Sequence, residues 1–288
     1  MIKVKEVQVG TYLTASKLPE ADYVINPYVG CPHKCIYCYA EFMKRFTNHN
    51  EEVWGDFLDV KLTSNPIRLE KIGEASVLFG SVTDAYNPYE KKYELTRKIL
   101  QEFIGSTARV EILTKSDLVT RDIDIMRQIA NLRVGISMNS LDDSFRKKTE
   151  PYASSVERRI EAMRVLHDAG IRTYLFMSPI FPGITKFADI VQRVRPFADS
   201  FYFENLNLRA GYLQRVLDFI SENYPEHAEI FNVIYKKKDM TYWENLSEEI
   251  NKFCSNAKLD YKLYFYHDKI KKGVYGIIEM QKTAIKNT

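Results

Sequence analysis

Six short apolar runs recur along this chain, each followed by a stretch with helical patterning: YVINPY (23–28), ASVLFGS (75–81), ARVEILT (108–114), LRVGISM (132–138), IRTYLFMS (171–178) and DSFYFEN (199–205). Runs of this length, rich in branched and aromatic residues, read as buried strands. The stretches between them carry helix punctuation. One ends at Gly105, SSVERRIEAMRVLHDAG opens on a serine N-cap and stops at Gly170, and further helices are predicted over 40–46, 186–197 and 211–224. Strand then helix, repeated, means parallel strands joined by right-handed crossovers. Six such units rather than eight predict an α/β fold, a partial (β/α)6 TIM-like barrel that stays open. The alternation assigns 23–224 to the barrel, 1–22 to a short N-terminal extension and 225–288 to a C-terminal extension. That last part holds a helix (243–253) and a strand, YKLYFYH (261–267). Residues 47–66, polar and turn-rich around one apolar segment, read as an excursion over the rim.

A chain of 288 residues suffices for one elaborated barrel domain. Its 45% apolar and 27% charged residues are ordinary for a globular protein. A net charge of +3 is too small to argue for nucleic acid. No run of about 18 apolar residues is present to span a membrane, and MIKVKEVQVG lacks the apolar core of a signal peptide. The expectation is a cytoplasmic protein whose thiols stay reduced.

Three of the four cysteines, Cys31, Cys35 and Cys38, fall in YVINPYVGCPHKCIYCYA with the spacing Cys-x3-Cys-x2-Cys. Thiolates on one short loop converge on a soft metal centre. A 4Fe–4S cluster takes four thiolates, one per iron, so three would leave one iron open, as a catalytic metal site requires. Spacing alone also allows a Cys3His zinc site completed by His33 or His49, and with it a non-catalytic scaffold or redox sensor. Cys254, in an apolar position of NLSEEINKFC, reads as a buried small hydrophobe.

In parallel barrels the chemistry sits at the C-terminal strand ends. Here these are the cysteine loop; Ser81, Thr83 and Asp84; Thr114, Lys115 and Ser116; Ser137 and Asn139; Ser178 and Pro179; Glu204, Asn205 and Asn207. Small polar residues after strands are often caps or turns, and that reading is preferred for Ser116, Asp117 and Ser154. Six polar ends on one rim point to a ligand site.

CPHKCIYC after a strand resembles the cluster loop of the radical S-adenosylmethionine (SAM) superfamily. The longer NPYVGCPHKCIYCYA, with GSVTDAYNPYEKKYELTRKIL, TKSDLVTRD and EPYASSVERRIEAMRVLHDAGIRTYLFMSPIFPGIT, resembles the branch that contains spore photoproduct lyase. ENLNLRAGY and YFYHDKIKK resemble the subgroup labelled radical SAM mobile pair protein. The resemblance implies a partial barrel, a 4Fe–4S cluster on the three cysteines, and SAM chelated to the fourth iron. It implies reductive cleavage of SAM to a 5′-deoxyadenosyl radical that abstracts hydrogen from a bulky substrate, a nucleic acid or a peptide. It also implies a one-electron donor such as flavodoxin or ferredoxin.

Roles for the strand ends follow from what SAM presents. Lys115 suits its carboxylate; Ser81, Thr83 and Asp84 its ammonium; Ser137 and Asn139 the ribose hydroxyls. The backbone around Ser178 and Ile180, with Tyr37, suits the adenine. Tyr39, Glu204, Asn205, Asn207 and Arg209 remain for catalysis or substrate. Spore photoproduct lyase carries a hydrogen-donating cysteine where this chain has Ser81, which speaks against thymine-dimer repair.

Overall fold

The computed structural model describes residues 2–265. The tail carrying His267, Lys269, Lys271 and Lys272, and with it most of YFYHDKIKK, lies outside the described residues. Among the described residues eleven strands form two sheets: β1 (Lys3–Gln8), β2 (Leu13–Ala15), β3 (Tyr23–Ile25), β4 (Tyr28–Val29), β5 (Phe57–Leu62), β6 (Ser76–Phe79), β7 (Arg109–Thr114), β8 (Leu132–Ser137), β9 (Arg172–Ile180), β10 (Ser200–Asn205) and β11 (Tyr261–Leu263). The large sheet runs β11-β10-β9-β8-β7-β6-β3-β2. Every neighbouring pair in it is parallel except β2 with β3. The six expected strand–helix units are therefore present in order, as a partial barrel of TIM-like type, with β2 and β11 added at its edges.

The predicted first strand divides. Asn26 and Pro27 separate β3, in the large sheet, from β4, which pairs antiparallel with β5 in a small sheet of order β1-β5-β4. Proline has no N–H to continue a ladder, and the Pro27 carbonyl instead accepts the Lys61 N–H at 3.0 Å. The Asn26 side chain reaches across to β6, donating to Ser81 Oγ at 3.0 Å and accepting the Val82 N–H at 3.1 Å. The apolar segment of the expected rim excursion is β5, the central strand of the small sheet, with Phe57, Leu58 and Val60 fully buried.

The helix after β6 also divides, into Glu90–Tyr93 and Leu95–Glu102, with Glu94 left-handed at φ 51° between them. The buried Glu90 carboxylate caps the second piece, accepting the Thr96 N–H at 3.1 Å and the Arg97 N–H at 3.3 Å. The helix Val156–Asp168 starts as expected, with Ser155 Oγ accepting from Arg158 N.

The sixth expected strand, β10, is not the sheet's edge, because β11 pairs parallel with its first half. Glu20, in the connection between β2 and β3, accepts Lys262 Nζ at 2.8 Å and Tyr264 Oη at 2.6 Å. These side-chain bonds link the two edges of the sheet.

Candidate active site

The cysteine loop is set by its backbone. Gly30 has φ 86°, and a Cβ there would penetrate the Phe57 carbonyl oxygen, so only glycine lets the loop lie against β5. Its own carbonyl accepts Thr83 Oγ1 at 2.7 Å. Turns close with Lys34 N on Cys31 O (3.3 Å) and Cys38 N on Cys35 O (3.2 Å). From outside, Thr149 O takes the Ile36 N–H at 3.0 Å, and Arg215 Nε donates to Ile36 O at 2.8 Å. The loop is thus held by elements far apart in sequence. Burial pushes all three thiols up, that of Cys31 to about 12, with Asp84 and Cys38 adding to it.

Two buried carboxylates tie the loop to the strand ends. Asp84, after β6, accepts Thr114 Oγ1 (2.6 Å), Lys115 N (2.7 Å) and Tyr86 N (2.8 Å), and His33 Nδ1 stands 3.4 Å away. Glu150, which follows the helix Asp143–Thr149, is fully buried. It accepts the Tyr37 hydroxyl and pairs with buried Arg159; Asn139 Nδ2 lies at 3.5 Å and Lys115 Nζ at 4.0 Å. Burial alone would raise the Glu150 pKa, but Arg159, Lys115 and the Tyr37 hydroxyl outweigh it, and the net shift is downward.

Three of the expected SAM contacts, Tyr37, Lys115 and Asn139, meet this second carboxylate, and Ser137 and Ser178 follow from Lys115. Lys115 Nζ donates to Ser137 Oγ at 2.7 Å and lies 5.9 Å from the centre of the Tyr37 ring. Ser137 Oγ donates to Ser178 O at 3.2 Å. Asn139 is buried, and its carbonyl accepts Thr185 Oγ1 at 2.9 Å. Ile180 is buried, and Tyr37 meets Phe181 edge-on at 5.5 Å.

The other expected contacts are placed differently. Ser81, Thr83 and Asp84 have their side chains engaged in joining the loop to β3, β6 and β7. Glu204 does not stand apart with the sixth-strand residues, since it accepts Ser178 Oγ. The Tyr39 ring is half exposed, but its hydroxyl, which donates to Ser81 O, is packed, and that desolvation with the nearby Glu204 charge raises its pKa. Asn205 is buried, in register with Ile180. Asn207 and Arg209 are exposed beyond the strand, with Arg209 Nε on Asn207 Oδ1 at 3.2 Å.

Sequence reasoning missed Glu150 and Arg159. Both lie in EPYASSVERR, and a glutamate before a proline and an arginine inside a helix are ordinarily surface residues. Trp54 was missed as well. It is buried beside Cys31, Ala40 and Phe57, with Cys38 packed against the same group, and its indole N–H has no partner of hydrogen-bond geometry among the described residues.

The donor set suits a cluster better than a single ion. Among the described residues no three His, Cys, Asp or Glu side chains converge on one point. A zinc site needs four donors around one ion, whereas a 4Fe–4S cluster spreads one thiolate over each iron. His33 faces Asp84, and His49 Nε2 is 2.9 Å from Asp59, so both imidazoles have carboxylate partners already. Three thiols on one loop, one buried and two partly buried, beside an unpartnered N–H, fit a centre that binds thiolates and supplies its own positive charge. Cys254 lies in the core, on the helix Thr241–Asn256, away from this loop.

The Radical SAM superfamily model matches residues 25–194. An uncharacterised protein of Methanocaldococcus jannaschii is 37% identical over 231 residues, 80% of this chain and 87% of its own length. A structure of a spore photoproduct lyase variant with bound SAM and a dinucleoside spore photoproduct superposes with a TM-score of 0.54 at 18% identity. The match covers 77% of this chain and 66% of the lyase. Streptococcus suis SuiB bound to SAM gives a TM-score of 0.53 at 14% identity, covering 86% of this chain and 51% of SuiB. The chain therefore spans about two thirds or less of these two neighbours, and the likeness to them is one of fold.

Proposed function

Because the chain belongs to the radical SAM superfamily, with the 4Fe–4S cluster and SAM which that family carries, we propose that it is an enzyme acting on a nucleic acid by hydrogen abstraction. The observation that carries the SAM chemistry is the tie of the cysteine loop to Glu150 through the Tyr37 hydroxyl, with Lys115 Nζ 4.0 Å from the same carboxylate. When bound, such a cluster would supply the one-electron reduction, fed by a donor such as flavodoxin or ferredoxin, by which SAM would be cleaved to methionine and a 5′-deoxyadenosyl radical. Cys31, Cys35 and Cys38 would hold the cluster.

The chain's own groups bind and orient. Lys115, poised between Ser137 and Glu150, offers its ammonium to the SAM carboxylate. Glu150 keeps that ammonium in place, and its own bonds to Tyr37 and Arg159 fix the loop carrying the cysteines. Ser137 and Asn139 would serve the ribose hydroxyls, and the backbone between Ser178 and Ile180 the adenine. Glu204, tied to Ser178 and close to Tyr39, sits where a substrate would approach.

Lys115→Ala should keep the cluster and weaken SAM binding. A charge-assisted hydrogen bond is worth roughly 1.5–3 kcal/mol, about ten- to hundredfold in affinity. Equilibrium dialysis of cluster-loaded protein measures it. Unchanged affinity would mean that Lys115 serves only Ser137 and Glu150.

Nucleic acid is favoured over peptide by the short helix Tyr39–Phe46, directly after the third cysteine. Tyr39, Phe42 and Phe46 are 52%, 43% and 66% exposed. Tyr39 and Phe42 stack at 6.4 Å, and the Arg45 guanidinium lies 5.3 Å from the Phe42 ring and 4.7 Å from the Phe46 ring. No carboxylate partner of Arg45 is found among the described residues, so its donors are available to a phosphate. Aromatic faces alternating with a guanidinium form the surface on which single-stranded bases stack.

A labelled single-stranded oligonucleotide should bind at low salt, with affinity falling as salt rises. Stacking contributes about 1–3 kcal/mol per base, so Phe42→Ala with Phe46→Ala should weaken binding at least about tenfold while the cluster absorbance persists. Fluorescence anisotropy reads this. Equal binding by the double variant, or none by the wild type, would reject the nucleic-acid surface and leave a peptide as the substrate. Anaerobic formation of 5′-deoxyadenosine tests the chemistry separately. A brown protein that never forms it would be the non-catalytic redox module.

A further inference from the structure

Trp54 carries a polar group that the described residues do not satisfy. The side chain is 6% exposed, and its N–H has no hydrogen-bond partner among the described residues. The other such atom there, Ser106 Oγ, is a hydroxyl between the helix Leu95–Glu102 and β7, remote in the chain from the cysteines. An indole N–H can only donate, and a native fold rarely buries one unpaired. Trp54 is held by Phe57, which it meets edge-on at 5.6 Å, and by packing with Cys31 and Ala40. Cys38, Met43 and Val82 pack against the same group. In this apolar setting the side-chain acceptors are sulfurs, those of the cysteines and the weakly accepting Met43 thioether. A neutral thiol accepts weakly, whereas a thiolate ligand makes a charge-assisted bond. Of the three cysteine sulfurs, that of Cys38 is the one the indole N–H approaches.

We infer that Trp54 is a positioning residue for the cluster, donating its N–H to the Cys38 thiolate and thereby raising the cluster's reduction potential. Reduction adds negative charge that spreads over the sulfurs, and a donor aimed at one of them stabilises the reduced form more than the oxidised form. Hydrogen bonds to ligand sulfur are one of the levers that set such potentials. The inference rests on the family's cluster and is independent of which substrate is bound.

The test is a redox titration of the cluster-loaded protein, followed by visible absorbance and by the spin signal of the reduced state. Trp54→Phe keeps an aromatic ring and removes the donor, at the cost of volume. Site-specific benzothienylalanine at position 54 replaces the N–H by sulfur in a side chain of nearly the same shape. Both proteins should retain iron and sulfide. At a fixed potential each should show at least a tenfold lower ratio of reduced to oxidised cluster than the wild type, about 59 mV for a one-electron couple. Should Trp54→Phe fail to assemble a cluster, the benzothienylalanine protein decides. A benzothienylalanine protein that titrates at the wild-type potential, or that folds without taking up a cluster, overturns the inference and leaves Trp54 a packing residue.

Discussion

Alanine at Cys31, Cys35 or Cys38 is expected to remove bound iron and SAM cleavage together, with each single change as damaging as all three. Three ligands for three irons leave no redundancy. The only other cysteine of the chain, Cys254, is buried in the core on a different helix and cannot substitute. Cys254→Ala is the control, and it should cost at most a small cavity and leave iron content intact. The fold should survive the loop changes too, because Gly30, Ile36 and Cys38 are held through backbone bonds that the thiols do not make. Iron and sulfide analysis after anaerobic reconstitution, with 5′-deoxyadenosine counted by chromatography, reads both effects. Iron loading that depended on Cys254 as strongly as on Cys35 would sink the three-ligand centre.

The second large effect is expected at Arg159. Its guanidinium is buried, bonded to Glu150 and, at 2.9 Å each, to the carbonyls of Ser137 and Ser154. Arg159→Met would leave a buried carboxylate with only Lys115, Tyr37 and Asn139 beside it. Removing one partner of a buried ion pair costs about 3–5 kcal/mol, a large share of a domain's stability. Urea unfolding under anaerobic conditions, followed by tryptophan fluorescence, should register that loss. Combining Arg159→Met with Glu150→Gln should recover part of it, since the stranded charge is then gone. A single variant as stable as the wild type would show that Lys115 alone suffices to hold Glu150. In that event Tyr37 and the cysteine loop are anchored by something other than this pair.

Legibility followed the range of the interactions. The six main strands could be read because their signal is local: an apolar run that ends in polar residues. The cysteine loop was legible for the same reason, as were the polar strand ends that meet at Lys115, Ser137 and Ser178. What escaped depends on partners remote in sequence. Pro27 was visible, but nothing local said that the chain would there change sheets and pair with β5. Glu94 looked like any helix residue, and its left-handed turn depends on Glu90 folding back as a cap. Tyr37 was expected at the adenine, yet its hydroxyl is claimed by Glu150, 113 residues later. Asp84 was read as an acceptor for SAM, while its oxygens serve Thr114, Lys115 and Tyr86.

The contact of Glu20 with Lys262 and Tyr264 gives the barrel an asymmetry of strength. Around most of the circumference, neighbouring strands share ladders of backbone hydrogen bonds, and parting them would expose every N–H and C=O in the row. Across the seam between the first and last strands the described joint is two side-chain bonds, both on Glu20 and partly in water, where an ion pair is worth only about 0–1 kcal/mol. Such a latch yields before any ladder does. The seam is therefore the line expected to part first under load, while the strands that lead to the cysteines and Lys115 keep their register.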